Sequence, residues 1–445
     1  MSFLTPGRSE AAVSVVIADI ESLDQEGRGV THIDGKAVFV QGALPGERVE
    51  LETYRRKPSY ELATTRKVLV ASPSRTTPGC NSFGICGGCS MQHLEARAQV
   101  AAKQRVLEDN FAHIGKVSPQ TMLAPIHGPA WGYRYRARFS SRYVRKREAT
   151  LVGFRERRNS FVADMPSCEV VPKRISALLM PLRTLIDGLS IRERVPQIEL
   201  AIGADRDALA FRILEPLSTG DEQLLRDFSD RHGVHVYLQP RGPDTVHLLH
   251  PAGDELLSYC LPDFDVEFRF RLPDFTQVNH QINRVLVRRA VSLLDPQPGD
   301  VIGDMFCGIG NFSLPMARRG AVVTGFEGSA ALVERAQSNA RHNGLDKRCD
   351  FDVRDLFKLD AEQWQQLGPF DKLLIDPPRD GALELINSLG AAMPAKVVYV
   401  SCNPATLARD AGIMVHTNGY TLRSAGVINM FPHTSHVESI ALFEK

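Results

Sequence analysis

Cys402 ends the apolar run Lys396-Val-Val-Tyr-Val-Ser-Cys-Asn-Pro404, which has strand character. A thiol in such a place acts as a nucleophile when a base and an electrophile stand beside it. An isolated cysteine near a strand is more often simply packed. What favours chemistry here is its company. Asp371-Lys-Leu-Leu-Ile-Asp376-Pro-Pro-Arg379 ends a second run in a carboxylate and two rigid prolines. Asp304-Met-Phe-Cys-Gly308-Ile-Gly310-Asn311 follows a third run, and its glycines permit a tight turn that brings a ligand close to the backbone. A fourth run, Val322-Val-Thr-Gly-Phe326, leads into Glu327, 17 residues after Gly310. A carboxylate at that point can accept hydrogen bonds from both hydroxyls of a ribose; a solvated strand end is the plainer alternative. Near the C-terminus, Met430-Phe-Pro-His-Thr-Ser-His-Val-Glu438 offers Glu438 as a base, with His433 and His436 equally suited to a structural role.

These residues need a sheet to hold them. From about residue 278 onward, short apolar runs alternate with helical patterns, which implies a doubly wound, mostly parallel sheet. Ligands of such sheets sit at the carboxyl ends of the strands, where Asp376, Cys402 and the glycine loop would then meet. Two glycines without a full Gly-x-Gly-x-x-Gly weaken a pyrophosphate reading and favour an adenosyl ligand without phosphate, S-adenosylmethionine.

The front of the chain has a different texture. Residues from about 11 to 72, beginning with Val13–Ile20, read as short strands between glycine turns, as in a small β-barrel of the kind that often binds oligonucleotides. Its basic residues interleave with Glu47, Glu50, Glu52 and Glu61, so a solvated charged face competes with a binding one. A long helical stretch covers about 91 to 114, and a mixed region runs from about 131 to 265. Cys80, Cys86 and Cys89 cluster around two glycines, with Cys168 downstream as a fourth ligand candidate. Four thiolates suit zinc or an iron–sulfur cluster, and spacing does not choose. Cys260, Cys307 and Cys349 have no partner at ligand spacing. Between residues 134 and 158 stand ten Lys or Arg against Glu148 and Glu156. Strand alternation would put Arg134, Arg136 and Arg138 on one face, and arginines among aromatics suit single-stranded RNA.

The whole chain has 53 Lys and Arg against 52 Asp and Glu, so a uniformly basic nucleic-acid binder is excluded while a local patch is not. No apolar run is long enough to cross a membrane, and the start lacks the pattern of a secretory signal. Eight cysteines, unevenly spread, suit reduced thiols in the cytoplasm.

Taken together, Phe275-Thr-Gln277-Val-Asn279, the glycine loop, Asp376-Pro-Pro-Arg, Ser-Cys402-Asn-Pro and His-Thr-Ser-His-Val-Glu438 resemble the RNA uracil-C5 methyltransferase family over nearly the full chain. Barrel plus cysteine cluster resemble the branch acting on 23S ribosomal RNA. The resemblance implies a multidomain α/β architecture: an OB-like TRAM barrel over 1–72, a central mixed α+β iron–sulfur and RNA-binding domain over 73–265, and a Rossmann-like catalytic domain over 266–445. It leaves open whether the helix at 91–114 packs on the catalytic domain. It implies Cys402 as nucleophile at uracil C6 and Glu438 as the base that removes the C5 proton. Gln277, Phe306, Asn311, Glu327, Asp355 and Asp376 would line the S-adenosylmethionine pocket, and Phe275 would stack on nucleotide or cofactor. Cys80, Cys86, Cys89 and Cys168 would hold a [4Fe–4S] cluster. A cytoplasmic monomer without an obligate protein partner is expected. Two alternatives are an amino methyltransferase using the Asp376-Pro-Pro-Arg loop, where Arg379 replaces an aromatic residue, and a non-catalytic RNA-binding protein.

Overall fold

The computed structural model describes residues 15–390 and 393–445. Val13 and Ser14 of the expected first strand lie outside them. The front of the chain forms a six-stranded sheet in the order 15–19, 48–56, 60–70, 36–41, 29–33 and 22–23. Alternate residues of these strands turn inward onto one small core of Ile20, Val38, Val40, Val49, Leu51 and Ala63. The interleaved charges of this module pair in part, Arg66 with Glu52 and both Lys36 and Arg56 with Glu61. Glu47 is fully buried, accepts hydrogen bonds from the amides of Leu44 and Ser72, and is salt-bridged by Arg75 from the connecting segment. That pair ties the first sheet to the segment leading into the cysteine loop.

The middle of the chain is built on a second six-stranded sheet, ordered 247–250, 235–239, 207–212, 197–202, 136–144 and 149–153. All its pairs are antiparallel except 207–212 with 235–239. Cys86 and Cys168 belong to the apolar core on one of its faces. A separate hairpin, Leu257–Leu261 and Val266–Phe270, comes next in the chain. Its Tyr259, Phe268 and Phe270 pack with helix His280–Leu294 in the same core as the last sheet. The expected boundary at 265 falls inside this hairpin.

The last sheet has eight strands in the order 349–353, 322–327, 301–305, 372–375, 396–401, 438–444, 421–428 and 121–122. The first five are parallel, a Rossmann-type order with the chain crossing over beside strand Val301–Met305. Strand Glu438–Glu444 lies directly beside Lys396–Ser401, and it runs antiparallel both to that strand and to Thr421–Ile428. Strands 396–401 and 438–444 are buried along nearly their whole length, with the apolar runs Val397–Val400 and Ile440–Phe443 inside them.

One helix crosses between modules. Helix α1, Ala96–Asn110, is capped by Glu95, whose carboxylate accepts from the amides of Arg97 and Ala98. It continues into the π-turn Phe111–Gly115. Although it precedes the central sheet in sequence, it packs on helix Pro404–His416 and strand Thr421–Ile428. Leu107 and Phe111 enter the same core as Tyr399 and Leu407. Among the described residues no helix is long and apolar enough to cross a membrane.

Candidate active site

The parallel order brings the carboxyl ends of strands 301–305, 372–375 and 396–401 to one edge. Ser401 pairs with Ser439 across the antiparallel ladder. Cys402, one residue beyond, therefore emerges opposite Glu438, one residue before. Asp376 leaves the neighbouring strand, its amide donating to the carbonyl of Met305 at 3.1 Å. Asn403 caps helix Pro404–His416, accepting from the amide of Ala405, and donates through Nδ2 to the carbonyl of Arg379. This fixes the Asp376-Pro-Pro-Arg379 loop against the Cys402 turn.

The groups so assembled are mostly acidic and mostly out of water. Glu438 is buried, and burial pushes its carboxyl up to about 7, opposed by the cations Lys103 and Arg379. Burial and the neighbouring charges of Glu438 and Asp304 raise Asp376 well above the usual carboxylate range. Burial, then Glu438 and Asp376, push the Cys402 thiol up to about 11, with Arg379 acting against them. Asp304 lies fully buried beneath the glycine loop, receives the hydroxyl of Ser313, and is raised by burial to about 7. Buried carboxyls raised in this way favour a neighbour that brings positive charge with it.

The glycine loop completes the edge. Phe306, Gly308 and Gly310 all have left-handed backbone, at φ of 66°, 55° and 89°. For the two glycines this conformation costs nothing, whereas Phe306 holds it under strain. Glu327 accepts from the amides of Gly308 at 3.2 Å and Ser329 at 3.1 Å, so its carboxylate is already turned toward the loop. Asn311 sits in a polar triad: its Oδ1 accepts from the Tyr259 hydroxyl at 2.8 Å and from Asn283 Nδ2 at 3.0 Å. Phe306 packs against Phe357 with ring centroids 5.4 Å apart. Asp355 is exposed; it caps the turn Leu356–Lys358 and pairs with Lys358 at 2.8 Å. Gln277 is half-buried in the loop before helix His280–Leu294, and Phe275 in the same loop is 67% exposed.

The three arginines do not form one free cationic face. Strand Arg136–Val144 begins at Arg136, leaving Arg134 outside it. Arg134 lies over the Phe154 ring and donates to the carbonyl of Arg136. Arg136 donates to the carbonyl of Leu272. Arg138 is exposed but paired with Glu199, its cross-strand neighbour, at 2.7 Å. Strand alternation accounts at most for Arg136 and Arg138, since Arg134 lies before the strand, and it gives no sign of these internal partners.

Cys80, Cys86, Cys89 and Cys168 line one small cavity together with Phe83, Gln92 and Phe154. All are free thiols. Arg134 and Arg157 bear on Cys86, the amide of Gly88 donates to its sulfur at 3.4 Å, and amides of Val170 and Val171 serve Cys168. Among the described residues no group of three or more His, Cys, Asp or Glu side chains stands at metal-binding spacing. The donor set is nonetheless what a thiolate-held group needs: four sulfurs around one space, with amides and guanidiniums to offset their charge.

Two features were missed from sequence. Arg379 reaches toward His436, with Nη2 3.2 Å from Nδ1, and its charge opposes the rise of both Cys402 and Glu438. Lys103 is buried at 1% exposure. The signal was present: Val100, Lys103, Leu107 and Phe111 succeed one another at spacings of three and four, a buried stripe with a lysine in it.

A Rossmann-type sheet with a glycine loop, an acid turned toward that loop and reactive groups at its carboxyl edge has the layout of a nucleoside-binding site. Comparison with known proteins makes the class specific. The family model described as tRNA (Uracil-5-)-methyltransferase matches residues 96–445, and the TRAM domain model matches 12–53. The chain belongs to the RNA uracil-C5 methyltransferase family and is an enzyme of that class. It is 59% identical over 428 residues to the 23S rRNA (uracil(1939)-C(5))-methyltransferase RlmD of Nitrosospira multiformis, covering 96% of this chain and 98% of that one. It is 56% identical over 453 residues to the protein of the same name from Burkholderia pseudomallei, covering 99% and 96%. Among solved structures, the Pyrococcus abyssi tRNA (uracil-54, C5)-methyltransferase in complex with S-adenosyl-L-homocysteine superposes with a TM-score of 0.75 at 25% identity, covering 96% of this chain and all of that one.

Proposed function

We propose that this protein methylates a specific uridine of 23S ribosomal RNA at C5, with S-adenosylmethionine as methyl donor and Cys402 as covalent nucleophile. The observation that carries the reading is the register that sets Cys402 opposite Glu438 beside Asp376 and the glycine loop. Uracil C5 is a weak carbon nucleophile. Cys402 gives its proton up to solvent and adds as the thiolate to C6, and the electron pair of the C5–C6 double bond moves onto C5 and O4. That makes C5 able to take a methyl group. C5 takes the electrophilic methyl of the S-adenosylmethionine sulfonium, whose sulfur–methyl bond breaks with its electron pair so that the neutral thioether S-adenosylhomocysteine departs. Glu438 then accepts the C5 proton, and the C6–S bond breaks, returning the double bond to the ring and the thiolate to Cys402. Asp376 and Glu438 give the sulfonium an acidic surrounding, and Glu327 and Asn311 hold the adenosyl end. The uridine must leave its stack to reach the thiol.

The name carried by the close relatives supports the 23S substrate, and the TRAM match supports RNA binding by the front module. The amino methyltransferase alternative needs no cysteine, so Cys402→Ala decides between them. The variant should lose methyl transfer to unmodified 23S RNA and form no denaturation-resistant protein–RNA adduct. Retained turnover sinks the covalent reading. Failure of the wild type to bind S-adenosylmethionine by calorimetry would instead favour a non-catalytic RNA-binding role.

The cysteines Cys80, Cys86, Cys89 and Cys168 would hold a [4Fe–4S] cluster, whose contribution there is to tie the 80–89 loop to the 168–171 segment. Anaerobically purified protein should contain iron and acid-labile sulfide. Stoichiometric zinc in colourless protein would refute the cluster. The residues of the proposed site all come from one chain.

A further inference from the structure

Lys103 lies on α1, far from Glu438 in sequence, and reaches the loop that delivers it. Its Nζ donates to Asn429 Oδ1 at 2.8 Å and to the carbonyl of Phe431 at 2.9 Å. One turn earlier, Gln99 accepts from the amide of His433 at 2.8 Å and its Nε2 stands 3.1 Å from His433 Nδ1. His433 has left-handed backbone, φ 65°, so the chain is bent there and needs holding. The loop from Asn429 to Val437 is thus fastened to α1 at residues 429, 431 and 433, immediately before Glu438.

We propose that Lys103 is the positioning residue for the proton-abstracting carboxylate: it anchors the loop that presents Glu438 and brings an ammonium group into the same buried site. The inference rests on the reading of Glu438 as the base. A neutral side chain could make the same two hydrogen bonds, and burying an ammonium is costly unless its charge acts on something. The charged and titratable groups around Glu438 are Asp376, Cys402 and Arg379 from the sheet edge, His433 and His436 from its own loop, and Lys103 from α1. Burial pushes Lys103 down to about 7 while Glu438 draws it up, and Lys103 is the first cation acting against the rise of Glu438. The two form one coupled pair.

The test uses Lys103→Met, Lys103→Gln and Lys103→Arg in the full-length protein. Methylated protein–RNA adduct is accumulated at pH 6, and its release is monitored after jumps to higher pH. Both neutral variants should bind S-adenosylmethionine and form adduct. The acidic limb of their release profile should move up by about one pH unit, a loss of about tenfold at pH 6 and about fivefold at pH 7. Lys103→Arg should keep the wild-type limb. Lys103→Gln retains a donor for Asn429 and decides the matter if the methionine variant does not fold. A limb that stays in place in a folded neutral variant, whatever the rate, overturns the proposal. Absence of any wild-type adduct overturns the parent reading as well, whereas a wild-type adduct with an unmoved limb overturns this inference alone.

Discussion

Replacing Glu438 by glutamine should make the protein slower and more stable at once. In the folded chain burial raises this carboxyl from about 4.5 to about 7. The folded state therefore binds the proton more tightly than the unfolded chain. Ionising it in place costs stability: no penalty exists below pH 4.5, it grows as pH rises, and it is complete above pH 7. The shift corresponds to about 3 kcal/mol. Glu438→Gln removes that penalty while keeping the shape, so its denaturant midpoint should exceed that of the wild type at pH 8 and converge with it at pH 5. Catalysis should move the other way. About one-tenth of Glu438 is ionised at pH 6, about half at pH 7 and about nine-tenths at pH 8. Wild-type release of methylated RNA from the adduct should rise about tenfold across that interval, and the glutamine variant should release about 10²–10⁴-fold more slowly. Chemical unfolding at a series of pH values and single-turnover adduct release measure the two halves. A variant that is no more stable at pH 8, or that releases RNA at the wild-type rate, refutes the reasoning.

Glu327→Ala should weaken S-adenosylmethionine by about tenfold or more in calorimetry, since a ribose-directed charge-assisted hydrogen bond is lost. Ser313→Ala leaves the Asp304 carboxyl without its hydroxyl donor and should cost about 1–3 kcal/mol in urea unfolding. Arg138→Ala should melt like the wild type yet reduce the salt dependence of RNA binding. Arg136→Ala, which strips the carbonyl of Leu272, should lower the midpoint instead. Cys168→Ala should lose iron along with the colour of anaerobic protein.

The catalytic half was legible because each of its strands ends in its own chemistry. Apolar runs closing in Gly308, Glu327, Asp376 and Cys402 can come together in an open parallel sheet only at its carboxyl edge. The opposition of Cys402 and Glu438 was not legible, since it depends on the last strand inserting antiparallel beside 396–401. The internal pairing of the arginine strand was not legible, because partners such as Glu199 and the Leu272 carbonyl lie far away in sequence. Lys103 escaped notice because a lysine on a helix is ordinarily solvated, and its reason lies in a loop 326 residues later.

The packing of α1 and of residues 121–122 against the end of the chain makes the catalytic unit discontinuous. During synthesis, Gln99 and Lys103 leave the ribosome long before the loop they hold exists. The last sheet cannot close until the final strand, Glu438–Glu444, has been made. A fragment cut at the sequence boundary near 266 would carry Cys402 and Glu438 but lack the helix that supports them. The front modules are therefore not detachable cassettes: grafting a different RNA-gripping domain onto this enzyme must carry α1 across the junction.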